Sequence, residues 1–272
     1  MELITRVCRI FLWTGSHRSS RRALVTWETL CKPHLVGGLN FIEFHTWNME
    51  AISKLLWAVT TKNDALWINW IHTFYIKGKE LQQLNTHTQA CWLVRKILDA
   101  KKWFLNMDYN VTLQSCCDKD KFSIKKTYLL FLPHLQKVQW KGLVLGPTTI
   151  PKHKFIIWLA LLGRLATVDR LHKWGIHVQT DCVLCTTRAE KNLQHLFFQC
   201  PYSSQIWSAL LRWLGENRRI SNSEEKIDWI SKKMRNNRPR AEIMKFLCAA
   251  IVYHVWNERN ARRFQAEKKE SQ

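Results

Sequence analysis

Apolar residues recur with helical spacing along most of the chain, and this pattern predicts a mainly α fold. In the first half the period is clearest over about 47–59, 66–75 and 90–105. Asp64 is placed to cap the second of these helices, and Gly78 is placed to end it. The predicted buried face of that helix consists of Leu66, Trp67, Trp70, Ile71, Phe74 and Tyr75.

The middle of the chain carries further helical segments, separated by turn residues. A helix is expected over about 123–134, and Gly142, Gly146 and Pro147 mark a linker. Pro151 can open the next helix at a position where its missing N–H costs nothing. The predicted buried stripe of that helix is Phe155, Trp158, Leu159 and Leu162.

A short helix is predicted after the one that begins at Pro151, with Thr167 as its cap and Gly175 at its end. A strongly amphipathic helix is then expected over about 202–214, before Gly215.

Two helices are predicted in the C-terminal part. Ser221 and Glu224 form a capping box for the first, which carries Ile227, Ile230 and Met234. Pro239 can begin the second. Its predicted inner face contains Ile243, Phe246, Leu247, Ala250, Ile251 and His254.

Four metal-ligating residues fall within nineteen positions between these helices. They are Cys182, Cys185, His195 and Cys200, in the pattern C-x2-C-x9-H-x4-C. The two-residue gap lets two thiolates from one turn hold the same ion, and zinc prefers four such ligands in a tetrahedron. Closure of a zinc knuckle contributes about 10–16 kcal/mol at neutral pH. The pattern predicts a structural Zn2+ site without an open coordination position, and buried cysteines beside a core histidine are the alternative.

The residues around this cluster resemble a known family. The segments are 151–160 (PKHKFIIWLA), 165–171 (LATVDRL), 195–201 (HLFFQCP) and Ile206-Trp207. They resemble the zinc-binding domain that follows the reverse transcriptase of plant LINE-type (non-LTR) retrotransposons, over about 140–214.

The rest of the chain agrees with this resemblance. Residues 11–13, Trp27, 31–33, 37–39 and 66–67 look like the segment that joins the polymerase thumb to the zinc domain, and 253–260 (YHVWNERN) looks like its usual continuation.

The expected fold is therefore a helical array with a small zinc-knuckle (CCHC) subdomain. We expect a helical thumb-side and linker region over 1–141, the CCHC zinc-binding domain over 142–215 and a C-terminal helical extension over 216–272. The resemblance implies binding of the element's own RNA or target DNA. The aromatic-x-Asp-Asp signature of a polymerase palm is absent from the sequence.

A large basic surplus favours a polyanionic partner. The chain has 42 Lys and Arg against 21 Asp and Glu, a formal net charge of +21. RNA or DNA, held through its phosphates with weak sequence preference, is the expected partner. The candidate phosphate-binding residues are Lys152, Lys154, Lys173, Arg188, Lys191, Lys232, Lys233, Arg235, Arg238 and Arg240. A membrane partner is not expected, and a basic protein with solvated lysines is the alternative.

The tryptophans allow a second hypothesis. Most of the fifteen recur at helical spacing and are expected in the core, while exposed ones could stack on bases or anchor a protein interface. The alternative function is thus a host-retained scaffold or subunit of a larger protein or ribonucleoprotein complex.

Enzymatic activity is not expected. The glycines form no phosphate loop, and no nucleophile elbow is present. Asp118 and Asp120 are the only candidates for a metal-dependent nuclease, and two carboxylates in a loop are usually solvated.

Two features of the sequence bear on localisation. The remaining six cysteines show no disulfide framework, which favours a reducing compartment, nuclear or cytoplasmic. Residues 1–22 are rich in Arg and Ser, so a mitochondrial transit peptide is the alternative.

Overall fold

The computed structural model is mainly helical, as the apolar period predicts. It describes residues 2–16, 23–81, 84, 89–104, 113–119, 121–132, 136–144, 149–176, 181–185, 192–215 and 239–270. The α-helices are α1 Glu2–Thr14, α2 Trp27–Cys31, α3 Phe44–Thr60, α4 Leu66–Ile71, α5 Trp92–Asp99, α6 Ile124–Phe131, α7 Lys141–Val144, α8 Pro151–Leu161, α9 Val168–Lys173, α10 Pro201–Trp213 and α11 Pro239–Glu270.

Shorter segments complete the secondary structure. Residues His34–Val36 and Ala100–Phe104 are 3-10 turns, whereas His72–Ile76 and His195–Gln199 are π turns. Strands β1 Cys117–Asp118 and β2 Lys121–Phe122 form an antiparallel pair, with Cys117 opposite Phe122. The predicted helix with Ile227, Ile230 and Met234 lies outside the described residues.

The chain divides into two compact units. The first consists of Met1–Ser20 and Phe41–Leu135, and the second of Arg21–Asn40 and Gln136–Gln272. Compact units need not coincide with the domains of a family, and residues 216–238 are not described. The division into 1–141, 142–215 and 216–272 therefore stays a prediction.

The first unit is built around α3. Glu43 caps this helix by accepting hydrogen bonds from the backbone N–H of His45 (3.1 Å) and Thr46 (2.6 Å). The inward face of α3 packs with α5 and the turn after it in one apolar cluster, which includes Leu56, Val59, Ile97 and Phe104. Helix α3 thus forms the centre of the first unit.

The predicted cap of α4 is wrong, and its predicted face is right only at Ile71, which is buried, and Tyr75, which is half-buried. Ile68 and Ile71 are buried, whereas Leu66 is 89% exposed and Trp67, Trp70 and Phe74 are also exposed. Residue Ala65, not Asp64, occupies the N-cap position, and no side chain caps the helix there. Because α4 is apolar on more than one side, hydrophobicity alone could not identify the inner face.

The second unit is built on the packing of α8 against α11. Trp158 of α8 is fully buried, and its indole Nε1–H donates a 2.8 Å hydrogen bond to the carbonyl of Gly37. Gly38 is required beside it, because a β-carbon there would lie 1.9 Å from the carbonyl oxygen of Lys32. The segment around the paired glycines is thereby fixed within this unit.

The predicted stripe of α8 is partly right. Trp158 and Leu159 are buried, whereas Phe155 and Leu162 are half-buried and Ile157 and His153 complete the buried set. The ring of His153 lies 4.4 Å from that of Tyr253 in α11. Burial, and secondarily the charge of His254, lowers the pKa of His153.

The predicted inner face of α11 is also wrong. Ile243 and His254 are exposed, and the other predicted positions are only half-buried. The buried side chains are Ala241, Met244, Lys245, Cys248, Ala249, Val252, Val255, Trp256, Arg259 and Arg263. The helix is apolar around much of its circumference, so its orientation depends on the elements that surround it.

The N-terminal helix α1 buries none of its residues, and Leu3, Val7 and Phe11 are more than half exposed. Within the part of the chain described here, no helix combines the length and apolar character needed to span a membrane.

Candidate metal centre

The four predicted ligands come together in the second unit. Cys182 and Cys185 lie in the turn 181–185, His195 begins the π turn His195–Gln199, and Cys200 directly precedes α10. Their ligand atoms all lie within 4.8 Å of one another. Among the described residues, these four form the group of His, Cys, Asp or Glu side chains with three or more members that could hold a metal ion.

A wide helical turn aligns His195 with Cys200. The backbone N–H of Cys200 donates to the carbonyl of His195 across five residues, at 2.7 Å. The side-chain oxygen of Asn192 accepts from the backbone N–H of His195 at 2.9 Å and so holds the start of the turn. Pro201 occupies the first position of α10, where it needs no N–H partner. This wide turn brings the side chains of His195 and Cys200 to the same side of the chain.

The cluster is buried and closely packed. Cys182, His195 and Cys200 are 6%, 5% and 0% exposed, and Cys185 is half-buried. The Nε2 atom of His195 lies 3.4 Å from Sγ of Cys185. Ligand atoms around one tetrahedral zinc ion are separated by about 3.5–3.8 Å. Three sulfurs and an imidazole nitrogen at these separations fit Zn2+, whose four positions would then all be filled by protein.

The electrostatics of Cys200 also favour a bound cation. Burial, with the neighbouring sulfurs of Cys185 and Cys182, raises the pKa of Cys200 to about 12, although the backbone N–H groups of Ser203 and Tyr202 act in the opposite direction. The same N–H groups at the start of α10 favour a thiolate once a cation is present. The site thus disfavours the free thiolate and suits a metal-bound one.

Comparison with known proteins agrees with this geometry. Residues 122–207 match the family described as zinc-binding in reverse transcriptase. This region of the chain is therefore similar to the zinc-binding domains of reverse transcriptases. The resemblance to a reverse-transcriptase zinc-binding domain is confirmed for the matched residues, and Zn2+ is the metal that the four ligands fit.

One curated relative is similar to a part of this chain. A protein of Arabidopsis thaliana, named "Putative ribonuclease H protein", is 30% identical over 79 residues. The match covers 29% of this chain and 13% of that protein, so the chain spans only a small part of its length. No solved structure matches the chain.

Arginines of α11 border the zinc ligands. Arg259 and Arg263 are 6% and 7% exposed and line a cavity of about 20 Å³ together with Cys182 and His195. Arg263 Nη2 donates to the carbonyl of Asp181 at 3.4 Å, immediately before the first cysteine. The sequence pattern does not predict these two residues at the site, although their i, i+4 spacing places both on one side of a helix.

The surroundings of the zinc domain also include an apolar cavity. Its volume is about 260 Å³, and it is bordered by the π turn at Phe197 and Phe198, by Ile157 of α8 and by Cys248 and Val252 of α11. Trp207 closes one side, and its Nε1–H donates to the carbonyl of Phe197 at 2.7 Å. The aromatic residues of the turn are therefore positioned by α10.

The predicted phosphate-binding residues are partly described. Lys152 and Lys173 are exposed, Lys154 is half-buried, and Arg240 is exposed while donating to the carbonyl of Leu214. Arg188, Lys191, Lys232, Lys233, Arg235 and Arg238 lie outside the described residues. The nucleic-acid site as a whole therefore stays a prediction.

Proposed function

We propose that the chain is a non-catalytic, zinc-containing nucleic-acid-binding module derived from a non-LTR retrotransposon reverse transcriptase without its polymerase palm. The observation that carries the proposal is the closed Cys3His centre, which suits a rigid platform rather than a reaction site. The match to zinc-binding domains of reverse transcriptases supports a partner among nucleic acids.

The charge of the zinc-binding domain supports a phosphate partner. Seven basic residues stand against three acidic ones between 152 and 191. Lys152 and Lys173 project from two different helices of this region and are exposed. Such residues can hold phosphates without reading base sequence. RNA and DNA are both candidate ligands, since a phosphate contact does not distinguish them.

The absence of catalysis is part of the same proposal. A zinc ion held by four protein side chains has no position for an activated water. Asp118, the described member of the candidate nuclease pair, forms a 3.3 Å ion pair with Lys126 and is largely exposed. Asp120 lies outside the described residues.

A salt titration tests the proposal. The affinity of the purified zinc-loaded protein for labelled 20-nucleotide RNA and DNA strands is measured by fluorescence anisotropy between 50 and 300 mM KCl. Binding through phosphates predicts that log K falls linearly with log salt concentration, by about 0.7 per contact on single strands. Binding that is absent at low salt, or unchanged across the range, contradicts the proposal.

A second candidate function is a scaffold or subunit of a larger protein or ribonucleoprotein complex. The outer face of α4 and of the turn that follows it favours this function, because Leu66, Trp67, Trp70 and Phe74 are exposed there. Exposed aromatic clusters commonly anchor protein interfaces. A stoichiometric protein partner that survives nuclease treatment, and is lost on Trp70→Ser, would support this function over the first.

The location of the protein is a separate proposal. We place the protein in the nucleus or cytoplasm, with mitochondria as the alternative because of the basic N-terminal segment. A fluorescent protein fused behind residues 1–22 distinguishes the two, since a transit peptide would carry it into mitochondria.

A further inference from the structure

Helix α9 ends in an exposed tryptophan within the zinc-binding domain. Trp174 occupies the C-cap position and is 49% exposed, and the neighbouring Ile176 is 48% exposed. The apolar pattern predicts most tryptophans in the core, and Lys173 is the predicted phosphate-binding residue of this turn. The structure shows a large aromatic surface available to a partner at this position.

A tight helix ending holds Trp174 in place. Gly175 has a φ of +75°, and its N–H donates to the carbonyl of His172, while the N–H of Ile176 donates to the carbonyl of Leu171. These two bonds form a Schellman motif, which fixes the last turn of a helix. The backbone that carries the indole is therefore ordered before any ligand arrives.

An arginine covers part of the indole. The guanidinium carbon of Arg170 lies 4.8 Å from the centroid of the Trp174 ring, within cation–π distance. Its Nη1 donates a 2.5 Å hydrogen bond to the carbonyl of Gly163, so the side chain is held from a second element. An indole stacked on one guanidinium and about half exposed retains surface for another planar group.

The charge around this turn is mainly positive. Arg164 precedes Arg170 in the chain and Lys173 follows it, and both are exposed. Burial lowers the pKa of Arg170, and the nearby positive charge of Arg164 lowers it further. Asp169 acts in the opposite direction and is the acidic residue of this segment. Cations at the C-terminal end of a helix are also favoured by its dipole.

We propose that this surface, Trp174 with Arg164, Arg170 and Lys173, binds single-stranded nucleic acid by stacking an unpaired base on the indole while the basic residues hold the flanking phosphates. The inference rests on the proposed nucleic-acid binding and adds the strand type and the contact residues to it. Stacking on an exposed ring requires a base that is free of its pair, and an exposed aromatic within a basic surface suits such a ligand. A duplex offers this surface only its phosphates.

Comparison of two equally exposed tryptophans tests the stacking contact. Trp174→Ala should weaken binding of a 12-nucleotide single strand about 5- to 100-fold and leave binding of the matching duplex within about twofold. Trp47→Ala is the matched control. Trp47 is 51% exposed, but it lies one helical turn from the acidic residue Glu43, whereas Trp174 lies among basic residues. Parallel measurements with RNA and DNA show which strand is preferred. Zinc content and circular dichroism of each variant show whether it folds.

Two further variants separate the stacking from the charge. Trp174→Phe should recover much of the affinity, since a smaller ring can still stack. Arg164→Gln and Lys173→Gln should each reduce the salt slope by about 0.7, whereas Trp174→Ala should leave the slope unchanged.

Two outcomes overturn the inference, and they are distinguishable. Single-strand binding that is as strong in Trp174→Ala as in Trp47→Ala removes the stacking surface but leaves the proposed function intact. A wild-type protein that binds neither strand nor duplex at low salt removes both.

Discussion

The zinc ligands show what single residues determine in this chain. Cys182, Cys185, His195 and Cys200 span only nineteen positions, so the chain between them can bring them together by local turns. The sequence could therefore predict the site before any tertiary contact was known. It could not predict that Arg259 and Arg263, more than fifty residues later, border the same site.

The first prediction concerns Cys200. Cys200→Ala should remove one of four ligands and lower the zinc content of purified protein well below one per chain, because three ligands hold the ion far more weakly. The change is measured by metal analysis after dialysis. Cys248→Ala is the control, since Cys248 is equally buried but lies outside the ligand set. Equal zinc content in both variants would rule out the assigned ligand.

The second prediction concerns Glu50, which is 1% exposed and has no hydrogen-bond partner for Oε1 in the described structure. Burial raises its pKa from 4.5 to about 7. The folded state therefore holds the proton more tightly than the unfolded state. Proton binding by Glu50 therefore stabilises the folded state. This stabilisation is fully present below pH 4.5 and is lost as the pH rises through 7.

Glu50→Gln removes the buried charge and should increase the free energy of unfolding at pH 8 by about 1–3 kcal/mol. Urea denaturation at pH 5 and pH 8 measures the difference, which should be smaller at pH 5. Glu28→Gln, at an exposed carboxyl group, is the control. A gain that is the same at both pH values would contradict the assigned cause.

At the scale of elements, the positions of helices followed the sequence better than their orientations. Helix α10 ends before Gly215 as expected, and α11 begins at Pro239. Helices α4 and α11, however, turn faces inward that the apolar pattern did not select. Both carry apolar residues on several sides, so the partner surface decides which side is buried.

The third prediction concerns α11 as a support for the metal. Zinc bound to three thiolates and a neutral imidazole carries a net negative charge, which buried guanidinium groups can offset. Arg263→Met should therefore weaken zinc binding about 10- to 100-fold, the range typical of residues that support metal ligands. Competition with a chromogenic chelator measures the affinity.

Arg262→Met is the control for this variant. Arg262 is more exposed, pairs with Glu258 at 2.7 Å and donates a 3.5 Å bond to the carbonyl of Val183. Its guanidinium also lies 5.3 Å from the ring centroid of Tyr202. It should change zinc affinity by less than about threefold. If both variants lose zinc affinity to the same extent, the buried Arg263 does not support the metal centre more than the exposed Arg262 does.

At the scale of the whole molecule, the zinc ligands and the apolar cluster around α3 belong to different compact units. Each unit has its own buried residues, so loss of the metal need not affect both equally. The cluster of the first unit includes Leu56, Ile97 and Phe104, none of which belongs to the zinc-binding unit.

The fourth prediction follows from this division. Removal of zinc by a strong chelator should increase hydrogen exchange in the turn 181–185 and in His195–Gln199, because the ligation that closes these turns is lost. Exchange in α3 and α5 should change little. Mass-spectrometric hydrogen exchange on the full chain measures both regions. Equal loss of protection throughout would show that the metal stabilises both units.

The sequence by itself determined the helical class of the fold, several helix ends and the four metal ligands, because apolar period, capping residues and ligand spacing are local properties of the chain. The tertiary structure alone decided which faces of α4 and α11 are buried, which tryptophans remain exposed and which arginines border the metal centre. These features depend on contacts between residues far apart in the chain, and a side chain that can be buried in several orientations is placed by the surface that it meets.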